Sequence, residues 1–178
     1  YSGDCDATNT QTGTGTNYWT EIGTGTDAPY TASSVIDNAP TPSEMIALNL
    51  PATHTVTFSQ AVYNPVMAIV SMGQPSIGVS YDFDTSFSVL SNGIGYWSYA
   101  NGGSAGGAIV NSTDYILTGT EFHGALQFDG WVTSITWVSD PAENWHGVTF
   151  GKAVPEPATL ALFGLGLAGL GFSRRRKA

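Results

Sequence analysis

Along most of the chain apolar and polar residues alternate with a period of two, the pattern of half-buried strands. His54, Val56 and Phe58 alternate with Thr53, Thr55 and Thr57. The longest run sets Ile77, Val79, Tyr81, Phe83, Phe87 and Val89 against Gly78, Ser80, Asp82, Asp84, Ser86 and Ser88. Phe122, Leu126 and Phe128 oppose Glu121, His123 and Gln127, and Trp131, Ile135 and Trp137 share one face. Residues 66–70 are apolar without a break and read as a central strand. Gly, Asn, Asp and Pro punctuate these segments, notably at Asn92-Gly93, Asn101-Gly102-Gly103 and Asp129-Gly130. The last pair, between two alternating segments, predicts a hairpin. No part of the body carries a convincing helical period. Eight or more short strands predict an all-β fold, a two-sheet antiparallel β-sandwich of jelly-roll-like form.

The two ends depart from this pattern. Residues 1–30 are rich in Thr and Gly, with similar tracts at 12–16 and 23–26, and read as loop or extended chain. Residues 17–22 are a candidate strand there, and the tracts are too short to establish a repeat architecture. Residues 31–153 form the sandwich, and residues 154–178 are a separate tail. In that tail only Thr159 is polar between Ala158 and Phe172, and none of those residues is charged. As a short apolar helix these residues would span roughly 22 Å, less than the roughly 30 Å hydrocarbon core of a bilayer. Snorkelling of basic side chains or local thinning closes that gap. Glycines at 164, 166, 169 and 171 are tolerated in lipid. Pro155 and Pro157 isolate the run, and Arg174, Arg175, Arg176 and Lys177 close it, which predicts a cytoplasmic C-terminus.

Charge follows the same division. Every Lys and Arg lies at or beyond Lys152, whereas every Asp and Glu except Glu156 precedes it. A body without Lys or Arg to meet phosphates excludes nucleic acid as a partner, and anionic membrane surfaces and polyanionic sugars as direct ones. With 42% hydrophobic and 12% aromatic residues, the acidic body still has the means to pack a core. Cys5 is the single cysteine, so no internal disulfide framework exists. The chain opens at Tyr1, which reads as a mature or truncated form.

Candidate chemistry is sparse. Gly102-Gly103-Ser104-Ala105-Gly106 matches the G-x-S-x-G string of hydrolases, but it lies among glycines with no helix to follow and reads as a chance match. Asp82 and Asp84 point to one solvent-side strand face, where they are candidate oxygen ligands for Ca²⁺ or simply solvated carboxylates. No EF-hand or calcium repeat accompanies them, and no other cofactor is expected. Glu121 with Glu143 is a conceivable glycosidase pair that nothing in the sequence sets across a cleft. His54 reads as a core histidine; His123 and His146 read as surface groups without metal-ligand spacing. Tyr96, Trp97 and Tyr99, beside a Gly-rich loop, are candidate platforms for stacking on sugar rings, although most aromatics of a sandwich are core. Asn111-Ser112-Thr113 is a glycosylation sequon.

Val154, Pro155, Glu156 and Pro157, the Gly/Leu-rich run and the closing Arg174, Arg175 and Arg176 resemble the PEP-CTERM sorting signal of bacterial exported proteins. The resemblance implies export from a Gram-negative-type bacterium and recognition by an exosortase. It further implies association with the membrane through the tail, and with extracellular polysaccharide or biofilm beyond it. Phrases such as Asn64-Pro65-Val66 and residues 145–151 resemble those of β-rich domains in other proteins bearing this signal. The expected role is that of a non-enzymatic cell-surface or extracellular-matrix protein. Its uncharged residues 7–20 would add as a strand to a neighbour's sheet edge and so build filaments. A carbohydrate-binding module is the alternative.

Overall fold

The computed structural model describes residues 16–153. Ten strands form two antiparallel five-stranded sheets: β1 (Ile46–Leu48), β2 (Ala52–Tyr63), β3 (Pro65–Met72), β4 (Val79–Phe83), β5 (Phe87–Asn92), β6 (Gly107–Asn111), β7 (Ile116–Thr120), β8 (Phe122–Phe128), β9 (Trp131–Asp140) and β10 (His146–Lys152). The first sheet runs β1-β10-β3-β8-β5 and the second β2-β9-β4-β7-β6. The all-β sandwich expected from the alternation is the observed fold. Helix among the described residues is limited to α1 (Ala28–Thr31) and a 3-10 turn at Ser98–Asn101.

The alternating residues meet between the sheets. Val79, Tyr81 and Phe83 point inward from β4 and pack with Ile135, Trp137, Leu117, Leu126, Phe128, Met67 and Ile69, while Asp82 and Asp84 stay exposed. The second sheet keeps a wet outer face; the first does not. Trp19, Tyr30 and Met45 cover it by packing on Ala68 and Val70. All eight residues of β3 are therefore buried, which explains the unbroken apolar run at 66–70. The segment before residue 31 is thus packed onto the sandwich at Trp19, Pro29 and Tyr30, with residues 22–26 exposed between them. Residues 17–22 form turns rather than a strand.

Three expectations are corrected. Asp129-Gly130 is a turn but not a hairpin: β8 pairs with β3 and β5, β9 with β2 and β4, so the chain crosses between sheets there. That crossing is clamped to the β2–β3 crossing. The Asn64 N–H donates to the Gly130 carbonyl (2.8 Å), and the Gly130 N–H donates to Asn64 Oδ1 (2.7 Å). Asn64 holds φ 47°, a left-handed backbone that asparagine tolerates better than most side chains. Second, Trp131 does not share the buried face of Ile135 and Trp137. It is 73% exposed and Val132 turns inward instead, where the β2–β9 register shifts between Thr57 and Val62. Third, His123 and His146 are buried, because the first sheet is covered on its outer face. His54 is buried as expected, with its Nε2 2.8 Å from Ser139 Oγ.

The expected apolar helix of the tail, the sorting residues from Val154 onward, Cys5 and residues 7–15 of the proposed donor strand lie outside the described residues. Among the described residues no helix is long and apolar enough to cross a membrane.

Candidate functional site

At the end of β3 the backbone is forced out of regular strand geometry. The β3–β8 register shifts between Ile69 and Met72, and Ser71 takes φ 58°. Glu121, entering β8, takes φ 61°. Both are non-glycine residues in the left-handed region, where an L side chain crowds its own backbone at a cost of roughly 1–2 kcal/mol each. The outcome is that their side chains meet: the Ser71 hydroxyl donates to Glu121 Oε1 at 2.6 Å.

His123 completes this buried group. The Ser71 backbone N–H donates to His123 Nδ1 (3.3 Å), so Nδ1 carries the lone pair and the ring proton sits on Nε2. Nε2 faces Glu121 Oε1 at 3.2 Å. The Tyr30 hydroxyl lies 3.2 Å from the same Nδ1. Burial, and secondarily the Glu121 charge, pushes the Tyr30 hydroxyl well above the usual phenol range. A second buried pair lies nearby: Glu143 Oε1 accepts the Gly73 N–H (3.0 Å) and sits against His146 Nδ1.

Above Ser71 and Glu121 opens a recess of about 270 Å³, lined also by Gln74, Pro75, Trp97, Asn144 and Trp145. Its aromatic wall belongs to a larger cluster. Tyr18 stacks on Trp97 (4.9 Å between centroids, 15° between planes), and Trp145 meets Trp97 edge-on at 4.9 Å. Tyr96 meets both Tyr18 (4.8 Å) and Trp97 (4.7 Å) edge-on. On the Tyr96 side a second depression of about 390 Å³ is lined by Glu21, Ile22, Ile94, Gly95, Tyr96, Tyr99 and Gly103. The Tyr96–Trp97 ring pair thus divides two adjoining recesses. A smaller cavity of about 100 Å³ lies elsewhere, between residues 36–44 and the Lys152 end of β10. It has no stacked rings, and its volume is less than half that of either recess.

Of the residues singled out from sequence, Trp97, Tyr96 and Tyr99 come to this surface, with Tyr99 63% exposed. Trp145, Tyr18, Gln74 and Asn144 join them, brought together only by the three-dimensional crossing of segments 17–19, 71–75, 95–99 and 143–145. Of the candidate pair Glu121 and Glu143, only Glu121 lines the recess. Asp82 on β4 and Asp84 just after it belong to the other sheet, and neither lines these recesses. Asp84 Oδ1 accepts from the Thr136 N–H (3.0 Å) and the Thr85 hydroxyl (2.8 Å). Among the described residues no three His, Cys, Asp or Glu side chains are grouped as metal ligands. Asn111 is exposed at the β6–β7 turn, where its Oδ1 accepts the Thr113 N–H and its Nδ2 donates to Asp114. Ser104 lies in an exposed loop leading into a strand, without the helix a nucleophile elbow requires.

Fold and site together define an all-β sandwich domain with an aromatic-walled recess at one end. Residues 153–177, directly after β10, match the family model of the PEP-CTERM protein-sorting motif. The chain therefore carries a PEP-CTERM sorting signal, which implies export to the cell envelope or surface, sorting by exosortase and association with the membrane through the tail. Neither a curated protein nor a solved structure matches the chain. The recess and the C-terminal end of β10 stand at opposite ends of the body. Ser71 closes β3 at one end and Lys152 pairs with Pro65 at the other, six residues and about 20 Å away.

Proposed function

We propose that the sandwich is a non-enzymatic carbohydrate-binding module of the cell surface, presenting its double recess to polysaccharide beyond the membrane. The observation that carries this reading is the strained, mutually bonded Ser71–Glu121 pair beneath the Trp97–Trp145 wall. Rings stack on the apolar face of a sugar, while Glu121, Gln74 and Asn144 offer hydrogen-bond partners to its hydroxyls. Glu121 is the only titratable group lining this recess, whereas glycoside hydrolysis uses a pair of carboxylates. Glu143 is turned to Gly73 and His146 instead. With Glu121 lining one recess, Glu21 the other, and no Lys or Arg before Lys152, the site suits neutral or amino-sugar polymers rather than uronic acids. The strand order β1-β10-β3-β8 facing β2-β9-β4-β7 is read as a jelly roll, with β5 and β6 inserted at its edges. The setting is the exopolysaccharide matrix or biofilm of a Gram-negative-type bacterium.

Binding is tested by polysaccharide pull-down and calorimetry across neutral, amino and acidic glycans. W145A is expected to weaken binding about tenfold, the loss of one stacked ring at roughly 1.4 kcal/mol. Q74A and N144A should also weaken binding, and an unchanged unfolding midpoint in each variant shows that the loss is local. Binding unchanged in W97A and W145A, or absent from the whole panel, overturns the reading.

A second reading, self-association into filaments by strand addition, is favoured by β6. This edge strand pairs only with β7, contains no charged residue or proline, and exposes Ile109 (72%) and Val110 (43%). Edges in monomeric proteins are usually blunted by such residues. The donor would be residues 7–15, since Tyr18 and Trp19 are engaged in their own domain. Electron microscopy of the chain with and without those residues tests it; monomers in both samples would exclude it.

A further inference from the structure

The end of the body from which the tail leaves carries an exposed aromatic pair. Tyr63 and Trp131, paired across β2 and β9, have ring centroids 5.3 Å apart and are 57% and 73% exposed. Large aromatics left this open near one another call for a partner. The topology says which one. Lys152 pairs with Pro65, two residues after Tyr63. One strand spacing and two residues of chain put Lys152 within about 13 Å of Tyr63, Cα to Cα. The matched sorting motif begins at residue 153, so no linker separates the body from the tail. The five residues 153–157 reach at most about 18 Å when extended. Whenever the apolar run beginning at Ala158 lies in a bilayer, this end of the sandwich is held against the lipid surface.

We infer that Tyr63 and Trp131, with Lys152, form a membrane-facing foot that seats in the headgroup layer of the bilayer holding the tail. Tyr and Trp favour that layer because each has an apolar ring and a polar edge. A lysine there extends its stem along apolar surface and its ammonium to phosphate. Lys152 is also the only Lys or Arg among the described residues, and it lies where phosphates would be met. Asp129, at the β8–β9 turn of the same end, accepts a hydrogen bond from the Ser86 hydroxyl (2.8 Å). The acidic remainder of the body is repelled by anionic lipid, so the foot, and not the body, makes the contact. The foot also orients the molecule: the aromatic recess then faces away from the membrane.

The test uses the full chain reconstituted through its tail in phosphatidylcholine vesicles, with plain or brominated acyl chains. Bromolipid is expected to quench part of the tryptophan emission. W131F should remove most of that quenching, while W97F and W145F, at the far end, should leave it intact. Quenching that is absent, or equal in wild type and W131F, overturns the proposal. A second copy covering the pair would instead shield Trp131 from aqueous acrylamide in proportion to the protein-to-lipid ratio, without bromolipid quenching, and would equally overturn it. Y63S, judged by the same quenching and by an unchanged unfolding midpoint, separates loss of the foot from loss of fold.

Discussion

Gly95→Ala tests whether the buried His123 group is as tightly held as its geometry implies. Gly95 is buried, and its N–H donates to Ser98 Oγ at 2.8 Å. A Cβ at this position would lie 2.2 Å from His123 Nδ1, 2.3 Å from Cγ and 2.8 Å from Cβ. Ordinary contacts begin near 3.4 Å, so the overlap exceeds 1 Å. The ring cannot swing away without leaving Tyr30, the Ser71 N–H and Glu121 together. Overpacking costs about 1–3 kcal/mol, and each broken buried hydrogen bond about 0.5–1.5 kcal/mol. The expected loss is therefore about 3–6 kcal/mol, much of the roughly 5–15 kcal/mol that stabilises a typical domain. In urea, at about 2 kcal/mol per molar, the unfolding midpoint should fall by roughly 1.5–3 M. Tryptophan fluorescence reports it directly. Gly102→Ala is the control, because a Cβ there meets nothing within 4 Å and only φ 67° opposes it. That variant should lose only about 1–2 kcal/mol. If Gly95→Ala unfolds within about 0.5 kcal/mol of wild type, the ordinary scatter of neutral substitutions, the close packing of His123 is refuted.

Alkaline unfolding should depend on Tyr30. Its hydroxyl titrates higher when folded than when unfolded, so its contribution is complete below the unfolded value near pH 10 and is lost as pH rises toward the folded one. Tyr30→Phe should flatten that decline by up to about 1.4 kcal/mol per pH unit, read from urea midpoints between pH 8 and 11; parallel curves would contradict it. Leu126→Ala, at a fully buried position between the sheets, should cost about 2–5 kcal/mol in the same assay. Asn64→Ala removes the acceptor of the Gly130 N–H and leaves Ala at φ 47°. It should cost about 1–3 kcal/mol, and hydrogen exchange should quicken at Gly130.

The alternation of Val79, Tyr81 and Phe83 with Ser80 and Asp82 was enough to place strand and inward face, because the side-chain period of a strand is a local property. The tail was legible for the same reason: an uncharged run, prolines before it and arginines after it are all read within 25 residues. Strand partners were not local. Asp129-Gly130 has the composition of a hairpin turn, yet whether flanking strands pair or cross depends on which sheet offers each of them neighbours. His123 alternates out of the apolar set, and the sequence gives no sign that Tyr30 and Gly95 close over it. Trp131 sat in phase with Ile135 until a register shift turned Val132 inward. The sequence alone determined the sheet composition and the sorting address. Tertiary structure alone decided the recess, assembled from four distant segments, and the placing of Tyr63, Trp131 and Lys152 at one end of the sandwich. Periodicity reports what each residue does to its own strand, while a site is made where separate strands end together.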